Sequence, residues 1–165
     1  MVMISSGAMG GPAVTIYCDG SSLGNPGPGG YGAILVCGSV RKELSAGFSL
    51  TTNNRMELRG ALHALEALTK PCDVVIVSDS KYVCDAIEKN WVTSWQKKGW
   101  MTSGGKQAAN KDLWEAMLPL LRKHNVRMQW VKGHSGHPEN ERCDYLARTA
   151  AEGRELAKDA GYGGA

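Results

Sequence analysis

Long apolar runs are missing from this chain of 165 residues, and their absence excludes several classes of protein. The longest runs, such as Val74–Val77, are far shorter than the roughly 20 apolar residues that a membrane-spanning helix needs. The N-terminal segment also lacks the basic start and apolar stretch of a secretory signal, and the arginines of an organelle transit peptide. We therefore expect a cytoplasmic protein with no membrane partner.

Paired cysteines at metal-binding spacing are missing as well. The five cysteines are an odd number without a C-x-x-C pair: Cys18, Cys37, Cys72, Cys84 and Cys143. This pattern argues against a disulfide scaffold and predicts small buried thiols in a reducing compartment. A zinc site of His134, His137 and Cys143 is disfavoured because a fourth ligand is missing and the spacing is unusual.

The net charge is only +3, but positive charge is concentrated in one segment. Residues 89–111, called here the Trp/Lys stretch, contain five lysines, three tryptophans and no acid. A basic segment in a nearly balanced chain indicates one surface that faces a polyanion. The alternative for the tryptophans is packing within the segment itself.

Hydrophobic periodicity predicts one α/β domain, residues 13–152, with a five-stranded mixed sheet and helices on both faces. The predicted strands are Val14–Asp19, Tyr31–Cys37, Val40–Leu50, Val74–Val77 and Val126–Val131. The predicted helices are Met56–Leu68, Ser80–Glu88, Leu113–Arg122 (with Pro119 shortening or kinking it) and Pro138–Glu152. Residues 21–30 are predicted as a loop, and residues 1–12 and 153–165 as flexible ends.

Two acids lie at the ends of predicted strands. Asp19 ends the first strand, and Asp79 follows Val74–Val77 just before a helix. Ligand sites of open α/β sheets form outside the carboxyl ends of strands, so these acids can share one crevice. The alternative is that each acid is an ordinary turn former or helix cap.

Two further acids lie on predicted helices. Glu57 shares a stripe with Ala61 and Ala64, which predicts that it faces the core. A capping box, Asn54-x-x-Glu57, is the alternative. Asp144 lies on the same face of the last predicted helix as the small residue Ala147, which lets this face approach the sheet. The alternative is that Asp144 is a solvated acid on the surface.

A cluster of these carboxylates would need cations. Two like charges about 4 Å apart repel by ~4 kcal/mol at an effective dielectric near 20. Acids that meet must therefore bind cations or take up protons. Oxygen-only ligands suit Mg²⁺ or Mn²⁺ rather than zinc, and two such ions about 4 Å apart can promote phosphodiester cleavage. The residue pattern leaves open whether the four acids meet.

Four blocks of sequence carry a resemblance to a known family. They are IYCDGSSLGNPGPGGYGAIL (16–35), TTNNRMELRGA (51–61), VSDSKYV (77–83) and VKGHSGHPENERCDYLA (131–147). In order and spacing they resemble type 1 ribonuclease H from about Val14 to Ala151, and the Trp/Lys stretch resembles the basic protrusion of bacterial-type members. The resemblance implies a ribonuclease H-like fold. It also implies hydrolysis of the RNA strand of RNA–DNA hybrids, leaving 3′-hydroxyl and 5′-phosphate ends.

The resemblance assigns roles to five residues. It implies that two Mg²⁺ ions, for which Mn²⁺ can substitute, are held around the scissile phosphate by Asp19, Glu57, Asp79 and Asp144. His134 matches the family histidine that assists proton transfer or product release, a role that suits a pKa near neutrality. From the residues alone, the alternative for His134 is plain exposure in a Gly-flanked loop. A monomer is expected, because no oligomerisation device is visible.

The resemblance also implies contacts with the hybrid. Asn25, Asn53 and Asn54 match positions that contact it, where amides can bond 2′-hydroxyls and base edges. Asn25 and Thr52 match a pocket for a phosphate of the DNA strand. The Trp/Lys stretch would lie along the DNA backbone, with contacts from Trp91, Trp95, Lys97, Lys98 and Trp100.

One position departs from the family pattern. Many members carry glutamine where this chain has Lys81, and that glutamine helps to read the RNA strand. A lysine there can bind phosphate, but it weakens the case for base-edge or 2′-hydroxyl contact. Lys81 is therefore left out of the predicted catalytic set.

Three rival interpretations remain to be weighed. Gly27-x-Gly29-x-x-Gly32 fits the dinucleotide-binding pattern, but it leads into a strand rather than a helix. A non-catalytic hybrid-binding module of the same fold is disfavoured by the four intact acids. Another nuclease or polynucleotidyl transferase of that fold is disfavoured by the Asn53-Asn54 pair and the Trp/Lys stretch.

Overall fold

The computed structural model describes residues 11–133 and 135–162. Its strands are β1 (Ala13–Ser22), β2 (Gly27–Cys37), β3 (Val40–Thr51), β4 (Asp73–Ser78), β5 (Asn125–Trp130) and β6 (Leu156–Ala157). Its helices are α1 (Asn53–Glu66), α2 (Lys81–Glu88), α3 (Trp91–Lys97), α4 (Lys111–Lys123) and α5 (Pro138–Ala151). Residues 1–10 and 163–165 of the predicted flexible ends, and the predicted site residue His134, lie outside the described residues.

The strands form one mixed sheet in the order β5-β4-β1-β2-β3-β6. β1, β2 and β3 are an antiparallel meander, whereas β4 pairs in parallel with β1 and β5 in parallel with β4. Parallel neighbours require crossover connections, which here contain the helices α1 to α4. The predicted mixed sheet is confirmed, with six strands rather than five. The added strand is the short β6, which pairs with Gly47 and Phe48 of β3.

Helices cover both faces of the sheet, as predicted. Ala33 of β2 lies in the main hydrophobic core together with Leu58 of α1. The neighbouring Gly32 points to the opposite face, because successive strand residues alternate. A Cβ added at Gly32 would lie 2.5 Å from the carbonyl oxygen of Cys143 in α5. Glycine at this position is therefore required for α5 to approach the sheet.

Strands β1 and β2 are longer than the sequence predicts. Most of residues 21–30, predicted as a loop, belong to the two strands: Ser21 pairs with Gly30, and Ser22 with Gly29. Only residues 23–26 connect them. Glycines usually weaken a strand. Here Gly30 also allows α5 to approach the sheet, because a Cβ at this position would lie 2.5 Å from the carbonyl oxygen of Ala147 in α5.

The four predicted helices have different bounds in the structure, α2 and α5 by one residue and α1 and α4 by more. α1 begins at Asn53 because Thr52 caps it, with the Thr52 hydroxyl accepting from the Arg55 N–H at 3.3 Å. α4 continues through Pro119 to Lys123, so the predicted shortening is wrong. The buried residues of α4, including Trp114, pack one side of the helix into the core. The free energy of this packing offsets the loss of the backbone hydrogen bond that proline cannot make.

The described C-terminal residues 153–162 differ from the predicted flexible end. β6 lies against β3, and the Asp159 carboxylate is buried. It accepts hydrogen bonds from Thr51, Arg55 and Arg59, which lie 100 to 108 residues earlier in the chain. A local sequence pattern cannot show such distant partners, and that is why this segment was predicted to be loose.

No helix among the described residues is long and apolar enough to cross a membrane. The five cysteines are free thiols. Four of them are buried as predicted, whereas Cys37 at the end of β2 is exposed.

Candidate active site

Three of the predicted acids meet at one edge of the sheet. Asp19 lies in β1, and Asp79 directly follows β4. These strands are parallel neighbours with Tyr17 level with Val77, so Asp19 and Asp79, two residues further along, lie side by side. Asp19 does not end β1 as predicted, because β1 continues to Ser22. Glu57 comes from α1, which packs on β1. One carboxylate oxygen from each acid lies within 4.8 Å of the other two, so the fold joins acids that are far apart in sequence.

Glu57 faces the interior and is only 6% exposed. The capping-box alternative is wrong, because Thr52 rather than Asn54 caps α1. Gly20 provides the space for α1 at this point, since a Cβ there would lie 2.4 Å from the Glu57 backbone nitrogen. The Oε1 atom of Glu57 is buried and accepts no hydrogen bond from any described residue. Such an oxygen is costly in free energy unless a proton or a cation satisfies it.

The carboxylates shift one another's proton affinity. Burial is the main cause that raises the pKa of Asp19 to about 7, and the charge of Asp79 adds to the rise. The Gly20 N–H donates a hydrogen bond to Asp19 Oδ1 at 2.9 Å, and this bond partly opposes the rise in the pKa of Asp19. Burial, followed by the charges of Asp19 and Asp79, also raises the pKa of Glu57. Without cations, this site therefore retains protons at a pH where exposed carboxylates are ionised.

The fourth predicted acid, Asp144, lies at the rim of the same cleft. It lines the cleft together with Asp19 and Asp79, and its charge contributes to the raised pKa of Asp19. Its carboxylate is 23% exposed and accepts a hydrogen bond from Arg148 Nε at 2.9 Å. The solvated-surface alternative is thus only partly correct. Arg148 is not among the predicted site residues, although its spacing of four residues from Asp144 is the helical signal for such a pair.

The three-acid cluster fits a hard divalent cation. Its donors are all carboxylate oxygens, which Mg²⁺ and Mn²⁺ prefer. The unpartnered Oε1 of Glu57 is a buried acceptor that a cation would satisfy. A cation would also displace the protons that burial and repulsion retain on Asp19 and Glu57.

A polar group lies at the start of α1, close to the acids. The side-chain oxygen of Asn25 accepts a hydrogen bond from the Asn53 N–H at 3.0 Å, next to the cap residue Thr52. Asn53 and Asn54 are exposed in the first turn of α1. Asn53 precedes Glu57 by four residues, or about 6 Å along the helix axis. The group offers amides and a hydroxyl at the positive end of the α1 dipole, an arrangement that suits a phosphate.

The Trp/Lys stretch includes α3 and the residues that lead to α4. Lys97 and Lys98 are exposed, and Trp91 is 38% exposed. Trp95 is partly buried and packs against Trp114 with ring centroids 6.3 Å apart. Trp100 is only 8% exposed and belongs to the core, so the packing alternative holds for this residue.

A tryptophan that the sequence analysis did not single out lies beside Asp79. Trp130 ends β5 and is 46% exposed, and its indole N–H donates to the carbonyl oxygen of Asp79 at 3.0 Å. The available signal was its position at the end of a strand that runs parallel to β4. The ammonium of Lys81 lies over the indole, 5.0 Å from the ring centroid.

Comparisons with known proteins show which family this chain is similar to. The family model for RNase H matches residues 11–152. The chain is 58% identical over 149 residues to a ribonuclease H of Nitratidesulfovibrio vulgaris strain DP4, covering 90% of this chain and 96% of that protein. LC9-RNase H1, a type 1 RNase H with the type 2 active-site motif, is similar with a TM-score of 0.78 and 35% identity, over 88% of this chain and 74% of that one. LC11-RNase H1, solved in complex with RNA/DNA hybrid, has a similar fold with a TM-score of 0.64 and 23% identity, over 84% of this chain and 96% of that one.

Proposed function

The chain belongs to the ribonuclease H family. We propose that its acidic site hydrolyses the RNA strand of RNA–DNA hybrids with two divalent cations. The proposed cations are Mg²⁺, for which Mn²⁺ can substitute, and the proposed products carry 3′-hydroxyl and 5′-phosphate ends. We further propose that the protein acts in the cytoplasm as a monomer.

The observation that carries this proposal is the meeting of Asp19, Glu57 and Asp79. Each provides one carboxylate oxygen within 4.8 Å of the others, and Glu57 Oε1 has no hydrogen-bond partner among the described residues. Buried like charges without basic partners are unfavourable in a purely structural role. A non-catalytic hybrid-binding module would have no use for this arrangement.

The residues of the site divide the work in the proposed mechanism. Asp19, Glu57 and Asp79 would hold cations, and Asp144 would join them once its carboxylate leaves Arg148. When bound, the cations would supply the positive charge that activates a water molecule and stabilises the leaving 3′-oxygen. His134 is proposed to take part in proton transfer or product release from the loop between Gly133 and Ser135, two residues that line the cleft.

Substrate binding is proposed to use two surfaces. Asn25, Thr52, Asn53 and Asn54, grouped at the start of α1, would contact the hybrid through hydrogen bonds to a DNA phosphate, 2′-hydroxyls and base edges. The exposed residues Trp91, Lys97 and Lys98 would lie along the DNA backbone, whereas the burial of Trp100 favours a packing role. The complex of LC11-RNase H1, a protein of similar fold, with RNA/DNA hybrid supports this choice of substrate.

The proposed activity is tested by offering four labelled substrates with Mg²⁺ or with EDTA. These are an RNA–DNA hybrid, double-stranded RNA, double-stranded DNA and single-stranded RNA. We expect metal-dependent loss of only the RNA strand of the hybrid, with mass spectrometry showing 5′-phosphate ends on the products. Binding of the hybrid without cleavage would favour the non-catalytic module, and cleavage of double-stranded DNA would favour another nuclease of this fold.

A further inference from the structure

Lys81 and Trp130 form an exposed pair at the edge of the acidic cluster. The Lys81 ammonium lies 5.0 Å from the centroid of the Trp130 ring. The Trp130 indole is in turn held by its hydrogen bond to the carbonyl oxygen of Asp79. The pair is therefore attached to the backbone of a residue whose side chain belongs to the acidic cluster.

Neither the helix dipole nor an ion pair explains the position of Lys81. It is the first residue of α2, where the helix dipole disfavours a positive charge. Among residues 11–133 and 135–162, no acid forms an ion pair with it. Lys89 offers a contrast, because it lies over the Trp91 ring at 5.7 Å and also pairs with Asp85 at 3.8 Å.

The Trp130 ring gives the Lys81 ammonium a defined position without neutralising it. A cation over an indole face is attracted by the ring quadrupole and keeps its full charge. The ammonium can therefore still bind an anion, and the indole limits the number of positions that it samples. A compact, strongly hydrated ammonium suits a phosphate oxygen better than it suits a base edge.

Lys81 lies within reach of a strand that crosses the acids. It follows Asp79 by two residues, so the two Cα atoms are at most about 7.6 Å apart. A strand whose scissile phosphate lies at the acids would place an adjacent phosphate near this lysine. We propose that Lys81, positioned by Trp130, binds the RNA-strand phosphate next to the scissile one. This inference rests on the proposed function of the acidic site.

The first test compares Lys81→Ala with Lys70→Ala over a range of salt concentrations. Lys70 is a matched exposed lysine that precedes β4, at the end of that strand away from Asp79. For Lys81→Ala we expect KM for the hybrid to rise about three- to tenfold at low salt. We also expect the slope of log affinity against log salt to become shallower by ~0.7 to 0.9, with kcat changed less than twofold.

Two further variants separate charge from position. Lys81→Arg should retain the salt slope because it retains the charge. Trp130→Leu should raise KM by a smaller factor than Lys81→Ala does, because the ammonium remains but is no longer held. Thermal unfolding of each variant checks that the fold is intact. Fluorescence anisotropy of the hybrid in EDTA measures binding without cleavage, so a failure of the proposed hydrolysis is distinguished from a failure of this contact.

The second test identifies the partner phosphate. In a duplex whose few consecutive ribonucleotides define the cleavage position, RNA phosphates are replaced one at a time by uncharged methylphosphonates. At the contacted phosphate, the replacement and Lys81→Ala should be strongly non-additive. Additive effects at every position, or a Lys81→Ala variant that behaves like Lys70→Ala, would overturn the proposal. So would tighter Mg²⁺ binding by Lys81→Ala with unchanged hybrid binding, since Lys81 would then be a counter-charge for the acids.

Discussion

Two groups of buried charge lie on different sides of helix α1 and behave in opposite ways. Glu57 faces two further acids, Asp19 and Asp79, and none of the three forms an ion pair with a basic side chain among the described residues. Arg55, two residues earlier and rotated by about 200° around the helix, faces Asp159 and forms ion pairs instead. Each group contains a carboxylate that is almost completely removed from water, since Glu57 is 6% exposed and Asp159 is 2% exposed.

The partners of each carboxylate decide the direction in which its pKa moves. Burial raises the pKa of Asp19 to about 7, and the charge of Asp79 reinforces the effect. Burial also opposes ionisation of Asp159, but hydrogen bonds from Arg55, Thr51 and Arg59 outweigh it and hold its pKa below the usual range. The comparison shows that burial alone does not identify a functional acid. A buried acid without a basic partner indicates a cation site, whereas a buried acid paired with two arginines indicates an ion pair that stabilises the fold.

The largest expected effect is the loss of cleavage in Asp19→Asn. Removing a cation ligand should lower kcat/KM by about a thousandfold or more, which corresponds to ~4 kcal/mol in the barrier. Hybrid binding should remain largely intact, as measured by fluorescence anisotropy. Asp73→Asn is the matched control, because Asp73 begins β4 at the opposite end from Asp79. Normal Mg²⁺-dependent turnover by Asp19→Asn would rule out the proposed site.

The same chemical change at Asp159 should affect stability instead. Asp159→Asn leaves Arg55 with reduced charge compensation in the interior, and loss of one partner of a buried pair costs about 3–5 kcal/mol. Urea denaturation should show this loss, with Tm lowered by roughly 10 °C. Asp112→Asn is the control, since Asp112 is 39% exposed and its loss leaves the Arg55–Asp159 pair in place. If Asp159→Asn were as stable as the parent chain, the stabilising role proposed for the Arg55–Asp159 ion pair would be wrong.

Without metal, Asp19→Asn should have the opposite effect on stability from Asp159→Asn. The change removes one of three carboxylates that repel one another in a buried site. We expect the free energy of unfolding in EDTA at pH 8 to rise by ~1 kcal/mol. Adding Mg²⁺ should stabilise the parent chain more than the variant. A destabilised Asp19→Asn variant in EDTA would contradict the contrast between the two groups.

The pH dependence of stability should separate the two groups in the parent chain. The folded-state pKa of Asp19 is raised to about 7, so its contribution is fully present below its unfolded pKa and is lost as pH rises through 7. The folded-state pKa of Asp159 is lowered, so its contribution is present above its unfolded pKa near 4 and is lost as pH falls below it. Metal-free protein should therefore be most stable between about pH 4 and 6 in urea denaturation. Mg²⁺ should restore stability above pH 7, and a high-pH loss that Mg²⁺ does not reverse would argue against the cation site.

Exposed lysines provide the reference for charges that are neither buried nor paired. Changing Lys97 and Lys98 to Ala should leave Tm nearly unchanged, because both side chains lie in water. The salt slope of hybrid binding should become shallower by ~1.8, the release of counterions from two phosphates. An unchanged slope would count against a DNA-facing role for this surface.

Much of the fold followed from local patterns, since strand and helix periodicity depends on neighbouring residues. The mixed sheet and the helices on both faces were predicted in this way. The course of residues 21–30 was not, because the demand for glycine at 30 and 32 comes from α5, more than 100 positions later in the chain. The helical stripe predicts that Glu57 faces inward, but it does not exclude a capping box with Asn54. The folded chain excludes that box, because Thr52 caps α1.

Local sequence patterns and blocks that resemble one family were enough to predict the chemistry of the proposed site: four acids, a basic Trp/Lys stretch and polar residues at the start of α1. The folded chain sets which side chains meet: three of the acids come together, Asp144 pairs with Arg148, and Trp100 is buried. It also joins Asp159 and Arg55 in an ion pair and places the Lys81 ammonium over the Trp130 ring. The physical reason is that the energy of a charge depends on its burial and its partners, and those are set by contacts between distant segments.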